Sequence, residues 1–186
     1  MKKRLLILFL LICAAPSVWG QKWAVETNVL DWANFATANF EVSRRINRYS
    51  ATVAGVRYNP WKFRDSSGSS HQNRALGANI GVRFWPWHIY SGWWFAVKAQ
   101  AEEYSRGGIF KMSELHEGYA LGASLSAGYA LMVGDHWNLS FGIGGWVGYT
   151  DRTVYKCPDC GRRLSEYKGP FLLPDNETKV GVTYVF

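Results

Sequence analysis

The feature that most constrains the fold is an alternation of apolar residues with polar or small ones, clearest at the end of the printed sequence. The last eight residues, KVGVTYVF, place Val, Val, Tyr and Phe on one face of an extended strand and Lys, Gly, Thr and Val on the other. Seven further stretches alternate similarly, and convincing helical periodicity is absent. The eight predicted strands are Trp23–Leu30, Ala38–Arg45, Tyr49–Tyr58, Ala75–Trp85, Trp93–Glu102, Gly118–Ala130, Trp137–Tyr149 and Glu177–Phe186.

The sixth predicted strand is long enough to cross a lipid bilayer. Tyr119 and Tyr129 lie ten residues apart and share its apolar face with alternating Leu and Ala residues. At about 3.3 Å per residue this segment measures roughly 33 Å. A tilt of about 40° leaves roughly 25 Å along the membrane normal, the height of the apolar band of an outer-membrane barrel. Trp137 and Tyr149 bracket the seventh strand in the same manner.

The lengths of the connections also alternate. They run to about seven, three, sixteen, seven, fifteen, six and twenty-seven residues, so the odd-numbered ones are mostly longer. Outer-membrane barrels have short periplasmic turns and longer extracellular loops. The pattern predicts an all-β fold, namely an eight-stranded antiparallel up-and-down transmembrane β-barrel with both termini on the periplasmic side. The alternative is a soluble sandwich that ends on an ordinary edge strand.

Aromatic residues gather at the ends of the predicted strands. Their rings favour the headgroup level of a membrane, where one edge is dry and the other is wet. We expect an aromatic girdle rather than a soluble core from Trp85, Trp87 and Tyr90 at one periplasmic turn, Trp93 and Trp94 just after it, and Tyr58 with Trp61 beneath a loop.

The N-terminus has the pattern of a secretory signal peptide. Residues 1–20, MKKRLLILFLLICAAPSVWG, combine a basic start with an apolar core too short to span a bilayer as a helix. We therefore predict a cleaved signal at 1–20, an outer-membrane β-barrel at 21–186, and the outer membrane of a Gram-negative bacterium as the location. Removal of three basic residues lowers the formal charge from +7 to +4, and no basic cluster indicates a nucleic-acid partner.

The inward faces of the predicted strands carry both acids and bases. Eight strands leave room for side chains and little else, and buried charges must be compensated. We predict a lumen network of ion pairs and hydrogen bonds; the alternative is a narrow path for a solute or ion. The predicted members are Glu26, Asn28, Asn39, Glu41, Arg57, Asn79, Arg83, Lys98, Gln100, Glu102 and Lys179.

Two cysteines lie in the longest predicted loop, in the sequence CPDCG. Cys157 and Cys160 resemble one knuckle of a zinc ribbon, but zinc requires four ligands. His71 or His116 from other loops are candidates to complete such a site. A local disulfide is slightly favoured in an oxidising compartment, and free thiols are the third alternative. No cofactor is otherwise expected.

A catalytic site is not expected from this sequence. Ser113, Glu114 and His116 lie close together in a predicted loop, yet no nucleophile elbow of the type GxSxG is present. We predict that the protein is not an enzyme. A lipid-modifying activity is the alternative within this class of function.

Four stretches are distinctive in combination: Thr27–Val42, Arg57–Phe63, the Gly-rich strand before KCPDCG, and the closing strand. Together they resemble the family catalogued as domain of unknown function 3575, which comprises outer-membrane β-barrels found mostly in Bacteroidetes. The resemblance implies an eight-stranded barrel without an assigned catalytic residue. Some members occur beside genes for surface fimbriae. The sequence ends at Phe186, so we expect no peptidoglycan-binding tail. The matching positions are Asn59, Pro60, Trp61, Cys157, Cys160 and Gly161.

The prediction for function is therefore a small barrel with a structural or surface-interaction role. The extracellular segments Lys62–Arg74, Glu103–Glu117 and Asp151–Asn176 would contact a surface protein, for which a fimbrial partner is one candidate. Tyr184 and Phe186 resemble the terminal signal that the barrel assembly machinery recognises. Other expected properties are contact with outer-membrane lipid and a monomeric state. A narrow solute pore on the same barrel is the alternative.

Overall fold

The computed structural model describes residues 22–64, 70–108, 114–157, 161–173 and 177–186. The predicted signal peptide lies outside these ranges. Within them the chain forms nine β-strands and one short helix, α1, at Val29–Ala33. The strands are β1 (Trp23–Asn28), β2 (Ala38–Arg45), β3 (Ser50–Arg64), β4 (Ser70–Phe84), β5 (Gly92–Gly107), β6 (Leu115–Met132), β7 (Trp137–Tyr155), β8 (Arg163–Leu173) and β9 (Lys179–Val185).

The strands close into an antiparallel barrel with eight strand positions. Each strand from β1 to β7 pairs with the next one along the chain. β9 pairs with both β1 and β7, and the N–H of Phe186 donates to the carbonyl of Trp23 at 2.8 Å. β8 pairs with a different part of the same β7 edge. β8 and β9 therefore share the eighth position, and the predicted eight-stranded barrel is confirmed.

The two ends of this barrel are different. The terminal end carries residues 22 and 186 with the short turns at 46–49, 85–91 and 133–136. The opposite end, called the loop end here, carries α1 and the connections after β3, β5 and β7. The predicted strands are extended there by additional ladder pairs.

These extra pairs correct the predicted loops. Parts of Lys62–Arg74, Glu103–Glu117 and Asp151–Asn176 are strand, and β8 lies entirely within the last of them. The sequence pattern missed these segments because the strand ends and β8 do not keep a regular apolar row along the outer face.

Alternating residues face outward and inward along the barrel, as predicted. On β6, Leu125 is 66% exposed whereas its neighbour Ser124 is 1% exposed. On β7, Ile143 is 64% exposed and Ser140 only 1%. Most of the large apolar side chains thus lie on the outer surface, and the interior is largely lined by small and polar ones.

The first connection contains the helix that the sequence pattern did not predict. One turn of helix is too short to show a periodicity. Asn28 caps α1, because its side-chain oxygen accepts a hydrogen bond from the N–H of Leu30 at 3.2 Å. Phe35 and Ala36 follow with φ of 53° and 49°, and this left-handed pair returns the chain to β2. No helix in the described ranges is long and apolar enough to span a membrane.

Aromatic side chains fill the interior of the barrel at the terminal end. Three of them were predicted to belong to the aromatic girdle on the outside, and that prediction was wrong. Trp85 and Trp94 are each 1% exposed and Tyr90 is 4% exposed, and all three point inward. They pack with small side chains such as Ala51 and Ala96 into a plug. Strand alternation alone would have placed Trp94 inside the barrel, because Trp94 is an even number of residues from the inward Lys98 on the same strand.

Candidate functional site

Most of the predicted lumen residues line one cavity in the middle of the barrel. This central cavity has a volume of about 80 Å³, and ten of the eleven predicted residues line it. Arg83, the eleventh, contacts two of these ten. Strand alternation brings the side chains together, since each lies at an inward position of its strand.

The charges nearest the plug form a closely paired group. Arg83 donates to Glu26 at 2.6 Å and also contacts Glu41. Lys179 lies 2.5 Å from Glu26, and Lys98 lies 3.3 Å from Glu41. The Arg83 side chain is only 5% exposed, so these ion pairs compensate charges that are almost completely removed from water.

A second group of charges lies closer to the loop end. Glu102 contacts both Arg57 and Arg106. Glu177 extends the first group, because it lies 2.8 Å from Lys98 and accepts a hydrogen bond from the side chain of Gln100 at 2.6 Å. The charges of the lumen thus form two groups of ion pairs, one above the other along the barrel.

Trp94 forms the floor of this charged region. The guanidinium carbon of Arg83 lies 4.6 Å from the centre of its ring, and the ammonium of Lys179 lies 5.1 Å from it. Such cation–π contacts add attraction where water is excluded. The ring fits because β6 and β7 carry glycines beneath it: a Cβ on Gly142 would lie 2.6 Å from the ring.

The asparagines serve the backbone rather than the ion pairs. Asn39 accepts a hydrogen bond from the N–H of Asn28 at 2.6 Å and donates to its carbonyl at 3.0 Å. Asn28 accepts from the N–H of Val180 at 3.1 Å, which helps to join β1 to β9. The Asn79 side-chain oxygen is buried without a partner among the described residues.

Two members of the network were missed by the sequence prediction. Arg106 continues the inward row Lys98, Gln100 and Glu102, so the alternation would have found it had β5 been extended. Glu177 lies two residues before Lys179 and therefore faces the same side of the strand. Both lie where a predicted strand ended or began, which is where strand assignment from sequence is weakest.

Asp31 lies in α1 at the edge of the central cavity. Burial raises the pKa of this carboxyl from its ordinary value of 3.8, and the charges of Glu177 and Glu102 act in the same direction. Arg57 and a hydrogen bond with Asn28 oppose the shift. Burial and the two neighbouring carboxylates therefore favour the protonated form of this acid at the loop-end edge of the network.

The zinc site considered as an alternative to a disulfide is not assembled among the described residues. They contain no group of three or more His, Cys, Asp or Glu side chains that could hold a metal ion. Cys157 is disulfide-bonded, and Cys160 lies outside the described residues, so their predicted pairing stays a prediction. The ring of His71 contacts the carbonyl of Gly108 instead.

The predicted trio in the third long connection is described only in part. Ser113 lies outside the described residues. His116 Nε2 lies 3.8 Å from the carboxylate of Glu114, at the outer limit of an ion pair.

Beyond Glu102 the interior widens into a second cavity, called the vestibule here. Its volume is about 360 Å³, and its lining comes from the inward faces of β5 to β8. Trp146, Phe171 and Leu173 form one wall, and Arg106 and Arg152 also line it. Sequence reasoning missed the vestibule because two of these wall residues come from the unpredicted strand β8.

Barrel and interior together define a small closed β-barrel protein with a charged lumen. The chain belongs to the family described as Protein of unknown function (DUF3575), whose model matches residues 6–186. The resemblance that the sequence motifs indicated is thereby confirmed. The searches of curated proteins and of solved structures both return no significant match.

Proposed function

We propose that this protein is a bacterial outer-membrane barrel with a structural or surface-interaction role. In this proposal the terminal end lies in the periplasm and the loop end lies outside the cell. The hairpins at the loop end contact a partner on the cell surface, for which a fimbrial protein is a candidate. The barrel acts as a monomeric membrane anchor and carries out no catalytic step.

The observation that carries the proposal is the apolar outer surface. Exposed Leu, Ile, Val and Phe residues form a continuous band; Ile80 is 65% exposed and Val97 57%. Contiguous apolar surface of this extent marks an interaction with lipid or another protein. Aromatic residues border the band: Trp93 and Tyr129 meet edge to face at 5.4 Å near the terminal end, and Tyr149 lies towards the loop end.

The filled interior supports an anchoring role over a pore. Any solute crossing the barrel would have to pass the paired charges of the central cavity and then the plug of Trp85 and Trp94. Opening that path means separating buried ion pairs, which is costly. By contrast, β8 projects from the barrel with most of its side chains exposed, so it is available to a partner.

Selective labelling in intact cells tests the placement and the orientation. Single cysteines at Leu164 in β8 and at Trp87 in the turn after β4 are both at exposed positions, 47% and 60% respectively. A membrane-impermeant maleimide should label Leu164→Cys in intact cells, and Trp87→Cys only after the outer membrane is permeabilised. The unsubstituted protein controls for the native cysteines. Equal labelling of both sites in intact cells would overturn the proposed orientation.

A photo-crosslinking residue at position 164 tests the role. A specific adduct with a surface protein is expected there, and the same residue at position 87 should give none.

The rival functions have their own readouts. Conductance in planar bilayers that disappears with Arg83→Ala would indicate a pore. A change in lipid mass on expression that disappears with His116→Ala would indicate a lipid-modifying enzyme.

A further inference from the structure

The vestibule differs from the central cavity in the chemistry of its walls. Ala120, Trp146, Phe171 and Leu173 give it an apolar side, and the rings of Trp146 and Phe171 meet edge to face at 4.8 Å. The aromatic plug at the terminal end packs against other side chains, whereas this apolar wall borders a cavity. Its volume of about 360 Å³ lies within the range of small-molecule sites, roughly 300–1,000 Å³.

The vestibule also carries positive charge that is not fully compensated. Arg152 makes no ion pair with any described residue, and its guanidinium carbon lies 5.4 Å from the centre of the Tyr167 ring. Arg106 contacts Glu102, but that carboxylate is shared with Arg57. Two arginines and one shared acid leave an excess of cations at this level of the lumen.

Buried hydrogen-bond donors without acceptors surround the same space. Among the described residues, Trp146 Nε1, Arg106 Nε and Arg152 Nε are buried and have no partner. Trp146 is only 3% exposed, so water does not readily satisfy its N–H. Buried polar atoms are almost always paired in native proteins, and each exception requires an explanation. In the central cavity the unpartnered atoms include an acceptor, Asn79 Oδ1, whereas all three here are donors.

We propose that the vestibule binds a small organic acid with an apolar body. The carboxylate accepts hydrogen bonds from Arg152 and Arg106, with the N–H of Trp146 as a further donor. The apolar body packs against Phe171 and Leu173. The lining residues lie on the inward face of the barrel, so the ligand comes from the aqueous space at the loop end and not from the lipid around the barrel. The proposal is independent of the surface partner suggested above.

A fluorinated probe tests the binding directly. The full mature chain in zwitterionic nanodiscs is titrated with 3-(4-fluorophenyl)propanoate, and binding is followed by fluorine NMR. We expect saturable binding that is at least ten-fold weaker for the matching neutral amide, because charge-assisted hydrogen bonds contribute that much or more. No saturable binding, or equal binding of acid and amide, would overturn the proposal.

Matched variants locate the site. Arg152→Gln should weaken binding of the acid about ten-fold or more, while Arg163→Gln, at an arginine 58% exposed on the outside of the same hairpin, should leave it unchanged. Phe171→Ala should also weaken binding of the acid, whereas Leu172→Ala, at the exposed neighbouring residue, should not. Trp146→Phe removes the N–H donor together with part of the indole ring, and it should weaken binding of the acid less than Arg152→Gln does. Equal effects of Arg152→Gln and Arg163→Gln would mean general surface attraction and would refute the site. None of these results bears on the cysteine labelling, so the two proposals fail separately.

Discussion

In the terminal-end half of the barrel, Arg83 contacts two carboxylates and is almost fully buried, whereas Arg152 in the loop-end half contacts only an aromatic ring among the described residues. The outer surfaces of the two halves differ as well. Leu125 lies within a continuous apolar band, while Leu164 lies on a hairpin with Lys168, Glu166 and other polar neighbours.

This difference indicates two tasks within one sheet. A charge that is removed from water needs a partner, so the first half is closed by pairing and carries stability. A cation that keeps some exposure can remain without one, so the second half retains groups that are free to bind. Four predictions test this contrast, ordered from the largest expected effect to the smallest.

Removing a paired arginine should be the most damaging change. Arg83→Met leaves Glu26 and Glu41 with fewer buried partners, and we expect the free energy of unfolding to fall by about 3–5 kcal/mol. Arg152→Met should change it by less than about 1 kcal/mol, since no ion pair is lost. Urea unfolding of the protein in lipid vesicles, followed by tryptophan fluorescence, measures both. Similar losses from the two variants would remove the distinction between the halves.

A charge on the outer surface should matter only within the apolar band. We expect Leu125→Arg to lower the free energy of unfolding by about 2–4 kcal/mol, because in the proposed placement this arginine lies near the midplane of the bilayer and is poorly solvated. Leu164→Arg should lie within about 0.5 kcal/mol of the unsubstituted protein. The same vesicle unfolding assay applies. A large cost at both positions, or at neither, would argue against a lipid-facing band that ends before β8.

The glycine beneath the Trp94 ring, in the terminal-end half, should not tolerate an added methyl group. In Gly142→Ala the new Cβ would lie 2.6 Å from the Trp94 ring, so the ring must move, and we expect a loss of about 1–3 kcal/mol. Gly134→Ala, in the turn after β6, meets no atom within 4 Å and should be close to neutral. Thermal unfolding of the folded barrel can compare them. A neutral Gly142→Ala would show that the ring is not tightly held.

The smallest effect is expected at Asp31, which lies in α1 at the loop end. Its raised pKa means that the folded protein binds this proton more tightly than the unfolded chain does. Its contribution to stability is therefore present below the ordinary value of 3.8 and is lost as the pH rises through the raised value. Asp31→Asn should be neutral near pH 3.5 and slightly stabilising at pH 7. Unfolding curves of both proteins across this range give the difference, and a destabilised variant at pH 7 would reverse the assigned sign.

Strand alternation was sufficient to predict the barrel and most of the polar residues that line its central cavity. A period of two assigns each residue to one face without reference to its neighbours, so Glu26, Glu41, Arg83 and Lys98 were correctly predicted to face inward. The same rule placed Leu125 outside. The inward aromatic plug was missed because tryptophans at strand ends were assigned to the membrane interface by residue type, although parity placed Trp94 inside.

The sequence by itself determined the strand pattern, the face of each side chain and the set of charges that share the lumen, because these depend only on the geometry of an extended chain. The tertiary structure decided which charges pair, since pairing depends on the register between strands that are distant in sequence, such as Arg83 with Glu26. It also decided that β8 and β9 divide one strand position along β7. That division brings Phe171 and Leu173 against Trp146, because hydrogen bonding to β7 fixes where β8 can lie. It also leaves Arg152 beside the Tyr167 ring, with no ion-pair partner among the described residues.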